Sequence, residues 1–153
     1  MEGFYIERIE KIDDCALIFA GGIRQSVQTA YRLFSLFSEN KIDIVFALQS
    51  TNPEDETADM GAVIKRRDIE KAKLFFDEIF LDGRSVVKED ISVIGISGAG
   101  LYHNYPVQEK IFELLYEQAI DIHLISTGEI KIFAAIDSDK ADEAKNVLLK
   151  GLF

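Results

Sequence analysis

A chain of 153 residues that is 48% hydrophobic and 10% aromatic has the apolar surface to bury a real core, which excludes a disordered segment. The 27 acidic residues outnumber 17 basic ones, giving a formal net charge of -10. A field of that sign repels phosphate backbones and anionic lipid, and so argues against nucleic-acid and membrane-surface partners. Cys15 is the only cysteine, which excludes an intrachain disulfide and a cysteine-rich metal site. The N-terminus lacks the basic start and apolar run of a signal peptide, and no apolar stretch approaches the roughly 18 residues of a membrane span, so a cytoplasmic location is expected.

In chain order, residues 15–20 read as a short buried strand, in which Cys15 is a small hydrophobe, punctuated by Gly21-Gly22. Val27, Ala30, Tyr31, Phe34 and Phe37 then recur at three and four, the apolar stripe of a helix ending near Asn40. Residues 42–48 form the next strand, 51–56 a polar turn, and 60–64 a returning strand. Asp68 stands as N-cap of a second helix carrying Ile69, Ala72, Phe75, Phe76 and Ile79. Asp82-Gly83-Arg84-Ser85 marks a boundary, and Val86-Val87 a short extra strand.

The order then repeats: strand 91–96, loop Gly98-Ala99-Gly100, a helix with Val107, Ile111, Leu114 and Leu115, strands 120–126 and 131–136, and a last helix capped at Ser138-Asp139. The repetition extends to residues. Leu33-Phe34-x-Leu36-Phe37-x-Glu39-x-x-Ile42-Asp43-Ile44 recurs as Ile111-Phe112-x-Leu114-Leu115-x-Glu117-x-x-Ile120-Asp121-Ile122, a constant offset of 78 positions that also carries Gly22 onto Gly100. Strand–helix–strand–strand–helix, twice over, is the element order of the ferredoxin-like split βαβ plan. Each copy alone is small for an independent core, so the two are expected to pack together.

Chemical motifs are sparse. The glycine loops lack the Gly-Lys-Ser/Thr ending of a phosphate-binding loop and the dinucleotide spacing. His103 and His123 have no metal-ligand spacing between them. Asp121, His123, Ser126 and Thr127 share one strand with alternating faces, which rules them out as a nucleophile–base–orienter set. Asp13-Asp14 and Glu54-Asp55-Glu56 read as solvated turns rather than calcium loops, and Lys65-Arg66-Arg67 as a helix-flanking surface patch. No metal and no cofactor is expected, nor catalytic machinery.

Two stretches resemble a known family. Ile91-Ser92-Val93-Ile94-Gly95-Ile96 with Gly98-Ala99-Gly100-Leu101, followed by residues 120–132 with Ile125-Ser126-Thr127-Gly128-Glu129-Ile130, is similar to the second ACT domain of aspartate kinases. Residues 42–50, ending in Gln49-Ser50, resemble a strand of the first ACT domain, and residues 3–20 its approach strand. The resemblance covers essentially the whole chain and leaves no room for the family's kinase domain. It implies an α+β fold of two ferredoxin-like (βαββαβ) ACT domains packed together, residues 1–84 and 85–153, with terminal strands open to exchange between them. It further implies a non-catalytic module that binds lysine or threonine in feedback control of aspartate-family amino-acid biosynthesis, as a homodimer and with a kinase subunit as a further partner.

By position, the effector set that the resemblance implies is Gln25, Gln28, Ala30, Gln49, Asp121 and Ile122. Several positions depart from the family pattern. Gln25 replaces an acidic loop residue, Val27-Gln28 replaces a Pro-Gly turn, and Asp121 replaces an asparagine. These departures favour an altered effector site over an intact lysine or threonine site, and they motivate an alternative: an ACT-type dimerisation module whose ligand site is lost.

Overall fold

The computed structural model describes residues 6–24, 27–80, 84–101 and 104–153. Among the described residues six strands and four helices follow in the order β1 (Arg8–Arg24), α1 (Val27–Glu39), β2 (Ile44–Asn52), β3 (Thr57–Lys65), α2 (Ile69–Ile79), β4 (Arg84–Ser97), α3 (Tyr105–Glu117), β5 (Ile122–Thr127), β6 (Lys131–Asp137) and α4 (Ala141–Leu152). The strands are ordered β2-β3-β1-β4-β6-β5. This is an α+β architecture of two ferredoxin-like units. Contacts divide the chain into residues 15–89 and residues 1–14 with 90–153, so β1 and β4 each serve both units.

In the 15–89 unit, β1, α1, β2, β3, α2 and β4 follow one another in the βαββαβ order. Its core gathers Ile18, Leu33, Phe37, Ile64, Phe76 and Phe80 beneath the two helices. The aromatic rings interlock, with Phe76 and Phe80 edge-to-face at 5.2 Å and Phe37 6.2 Å from Phe76. Each such ring contributes about 1.5–3 kcal/mol by burial alone.

The other unit takes its fourth strand from the start of the chain. Ile6 and Ile9 are buried in its core with Ile94, Ile96, Ile111, Leu115 and Leu148. Lys11 reaches Asp142 of α4 at 2.6 Å, Glu10 lies 3.0 Å from Lys131 of β6, and Ser92 donates to Asp13 at 2.9 Å. Ser92 is the one fully buried polar side chain among the described residues, and Ser138 Oγ, 3.1 Å away, completes its bonding. That hydroxyl therefore serves the strand, and no side-chain bond caps the turn before α4.

The strands are longer than the hydropathy pattern suggests. β1 runs through Gly21-Gly22, because the pair forms a bulge between Ala20 and Ile23 with Gly22 at φ 63°, a conformation glycine takes without steric cost. The Gly22 amide is held by Asp59 Oδ1 at 2.8 Å. β4 is continuous from Arg84 to Ser97, joining what the pattern separates at the polar Lys88-Glu89-Asp90. Asp68 occupies the N-cap position of α2, yet its side chain makes no capping bond.

The 78-residue repeat is structural as well. α1 and α3 both have 13 residues and begin and end 78 positions apart. Both stop alike: Lys41 and Ala119 adopt φ 56° and 53°, and the amides of Ile42 and Ile120 bond the carbonyls of Phe37 and Leu115 at 2.9 and 3.1 Å. This is the Schellman stop, in which a left-handed residue is followed by a buried apolar one. Ile42 and Ile120 are thus helix stops, and β2 and β5 begin two residues later. Lys41→Gly and Ala119→Gly relieve a side chain at positive φ, and each is expected to raise stability by up to about 1 kcal/mol in urea unfolding.

Asp77 of α2 accepts a hydrogen bond from Ser85 of β4 and lies 3.3 Å from Lys73. The Ser85 hydroxyl first, and Lys73 second, hold its carboxyl below the usual carboxylate range. A folded-state pKa below the unfolded one gives stability that is present above about pH 4 and lost as pH falls through the folded value. The stability difference between wild type and Asp77→Asn should therefore be constant from about pH 6 to 8 and shrink below about pH 4. A difference unchanged down to pH 2.5, roughly the end of that window, contradicts the assignment.

Candidate functional site: a cleft between the first helix and its sheet

β1 delivers Ile23 and Arg24 opposite Ala58 and Thr57 of β3, just before α1 begins. β2 pairs with the other edge of β3 and sets Gln49 opposite Met60. Alternation along β3 puts Ala58 and Met60 on the same face, the one that carries Ile23 into the core. Thr29 and Ala30 come from the first turn of α1, and Phe80 closes the far side, held at the end of α2 by a 2.8 Å bond from its amide to the Phe76 carbonyl. Together these residues line a closely packed groove that leaves no free space even for a water molecule.

The floor is apolar: Ile23, Ala30, Ala58, Met60 and Phe80. Arg24, Thr29 and Gln49 supply the polar groups, and no lining residue is acidic. A guanidinium beside the first turn of a helix suits a carboxylate, because fork donors and amide N–H groups both favour negative charge. The Gln49 carboxamide both donates and accepts.

Of the residues expected at an effector site, Ala30 and Gln49 meet at this cleft. Gln28 is exposed on the same helical turn, and Gln25 lies outside the described residues. Asp121 and Ile122 belong to the other unit. Asp121 is exposed, in an open surface concavity with Tyr116, Glu117, Ala119 and Ile120 at the end of α3. Ile122 opens β5 and packs on its unit's core. Within that unit, the position matching Gln49 is Thr127, at the opposite end of β5 and some ~20 Å along the strand from Asp121.

The expected set lacks Arg24, Thr29, Met60 and Phe80. Arg24 adjoins Gln25, and the period of two along β3 would have paired Met60 with Ala58. Phe80 sits beyond a helix end, where no local pattern marks it. His123 Nε2 lies 2.9 Å from Asp137 Oδ1 on β6, while His103 lies outside the described residues. Among the described residues no group of three or more His, Cys, Asp or Glu is placed to hold a metal ion, and no helix is long and apolar enough to cross a membrane. The acidic turn does structural work. Asn52 accepts from the Glu54 amide and Asp55 from Thr57, whose hydroxyl and amide hold the Asp55 carboxyl below its ordinary range.

Residues 94–152 match the family model of the ACT domain. With two ferredoxin-like units, this places the chain among proteins that resemble ACT-type regulatory modules. More particularly, it is similar to aspartate kinases and has the fold of their regulatory subunits. An aspartokinase of Bacillus sp. (strain MGA3) is 25% identical over 139 residues, covering 89% of this chain and 34% of that protein. The chain thus spans about a third of that relative's length. The crystal structure of the regulatory subunit of aspartate kinase from Thermus thermophilus, in a ligand-free form, superposes with a TM-score of 0.84 at 21% identity, covering 97% of this chain and 99% of that one. A structure of aspartokinase alpha and beta subunits matches with a TM-score of 0.80 at 23% identity, covering 95% and 97%.

Proposed function

We propose that the chain is a non-catalytic regulatory module of an aspartate-kinase-like system, and that it takes a free amino acid at the groove between α1 and its sheet, which has to widen to admit it. The observation that carries this reading is the lining itself. An apolar floor is rimmed by Arg24, Thr29 and Gln49 at the first turn of a helix. The ligand carboxylate pairs with Arg24 and the α1 amides, and its ammonium meets the Gln49 carbonyl oxygen and the Thr29 hydroxyl. A small side chain packs on Ala30, Ala58 and Met60.

This arrangement favours threonine over lysine. A lysyl ammonium held away from water needs an opposing carboxylate, and the lining contains none. Asp121 and Ile122, which the family resemblance adds to the expected set, belong to the other unit and take no part in this groove. The similarity to a regulatory subunit and to an alpha–beta subunit structure supports a kinase subunit as partner, and a homodimer is the assembly expected of the module itself. A cytoplasmic location and a role in aspartate-family biosynthesis follow from the same reading.

The alternative, an ACT-type interaction module without a ligand, draws on a different feature. Tyr31 and Phe34 stay exposed on the outer face of α1. Isothermal titration with L-threonine and L-lysine separates the two readings. The effector reading expects saturable heat, stronger with threonine, and at least about tenfold weaker binding in Arg24→Ala, the loss of one charge-assisted pair. No saturable heat and no thermal shift with either amino acid leaves the interaction module as the function.

A further inference from the structure

β1 carries one residue too many for the strand beside it. Ala20 pairs with Met60 and Ile23 with Ala58, so Gly21 and Gly22 together stand opposite Asp59 alone. Strict alternation from Ile18 and Ala20 would turn residues 22 and 24 toward the helices and Ile23 away from them. The extra residue reverses this. Ile23 is buried in the core with Ile18 and Ala20, and Arg24 stays exposed at the strand end, opposite Thr57. The bulge thus decides which of two unlike side chains, isoleucine or arginine, is inside. The side chain that fastens it comes from the residue directly across: the Gly22 amide donates to Asp59 Oδ1 at 2.8 Å. The other unit lacks both the bulge and the acceptor. There β4 pairs without a shift from Ile91 to Ser97 and ends, and Lys131, which faces Ser97, takes the place of Asp59. An ammonium has no lone pair to offer an amide.

We propose that Asp59 is a positioning residue for effector binding. Through the Gly22 amide its carboxylate holds the bulge that keeps Ile23 in the core and presents Arg24 to the ligand carboxylate. The role in binding rests on the function proposed above; the hold on the bulge does not. Asp59 does not line the groove, and alternation puts it on the face of β3 opposite to Ala58 and Met60. Its effect on binding therefore travels through the strand it fastens. The direct effect of its charge on a ligand carboxylate has the opposite sign, since like charges repel. Loss of the acceptor does not move β1 into the unbulged register, because that would bury the Arg24 guanidinium without a counter-charge. It leaves the strand end after Ala20 without its side-chain anchor, so that Arg24 no longer occupies one place.

The proposal is tested with L-threonine titrations and with hydrogen exchange of the Gly22 amide in NMR. Asp59→Ala should bind threonine about three- to tenfold more weakly, the worth of one modest hydrogen bond. Asp59→Asn keeps an Oδ1 acceptor and should recover most of that affinity. In an Arg24→Ala background, Asp59→Ala should change affinity by less than about twofold, because its effect acts through Arg24. The same loss with and without Arg24, or an asparagine variant as weak as the alanine one, overturns the proposal. The exchange test needs no ligand: the Gly22 amide proton should exchange at least about tenfold faster in Asp59→Ala than in wild type or Asp59→Asn. Equal rates in all three overturn the hold on the bulge. The expected exchange pattern in a wild type that binds no threonine upholds that hold and removes the amino-acid reading instead.

Discussion

Everything in this fold depends on two strands that do not stop where a domain should. β1 and β4 are 17 and 14 residues long, and each passes from one unit into the other. At the passage, Asp14 and Asp90 take φ of 57° and 58°. Aspartate is among the few non-glycine residues that enter the left-handed region at modest cost. Without residues 8–14 the 90–153 unit would lack its fourth strand, leaving the edge of β4 with unpaired backbone groups. The Lys11–Asp142, Glu10–Lys131 and Asp13–Ser92 contacts are the side-chain side of that requirement.

On this shared frame the two copies have diverged in content rather than in plan. Phe37, Phe76 and Phe80 of one core correspond to Leu115, Leu148 and Leu152 of the other, so one core is aromatic where the other is aliphatic. The β2–β3 hairpin is the longer of the two, lengthened around the Asn52–Thr57 turn with its Asx bonds. Ala30 and Gln108 diverge as well. Ala30 carries only a methyl group, whereas the Gln108 carboxamide bonds the Leu101 carbonyl.

Local signals carried much of this in the sequence. The stripe Ala30-Tyr31-Phe34-Phe37 and its repeat predicted both helices to within a residue or two, and Ile42 and Ile120 stood out as twins. Their role as helix stops was hidden, because a buried isoleucine after a helix resembles the first residue of a strand. Residues 8–14 could not be assigned to the far unit from pattern alone, since strand pairing is non-local and Arg8-Ile9-Glu10-Lys11 fits either partner. Family resemblance names Ala30 and Gln49, which the fold brings to one groove. Arg24 and Phe80 were not, for they reach the cleft only through the bulge at Gly21-Gly22 and the end of α2.

The central claim is that a single cleft, at the first turn of α1, receives the effector. An NMR titration of the isotopically labelled chain with L-threonine tests it most directly. The account predicts saturating shift changes concentrated on Arg24, Thr29, Ala30, Gln49, Met60 and Phe80. Saturating changes confined to the Leu101–Gln108 segment and Thr127, with the α1 cleft silent, would contradict it.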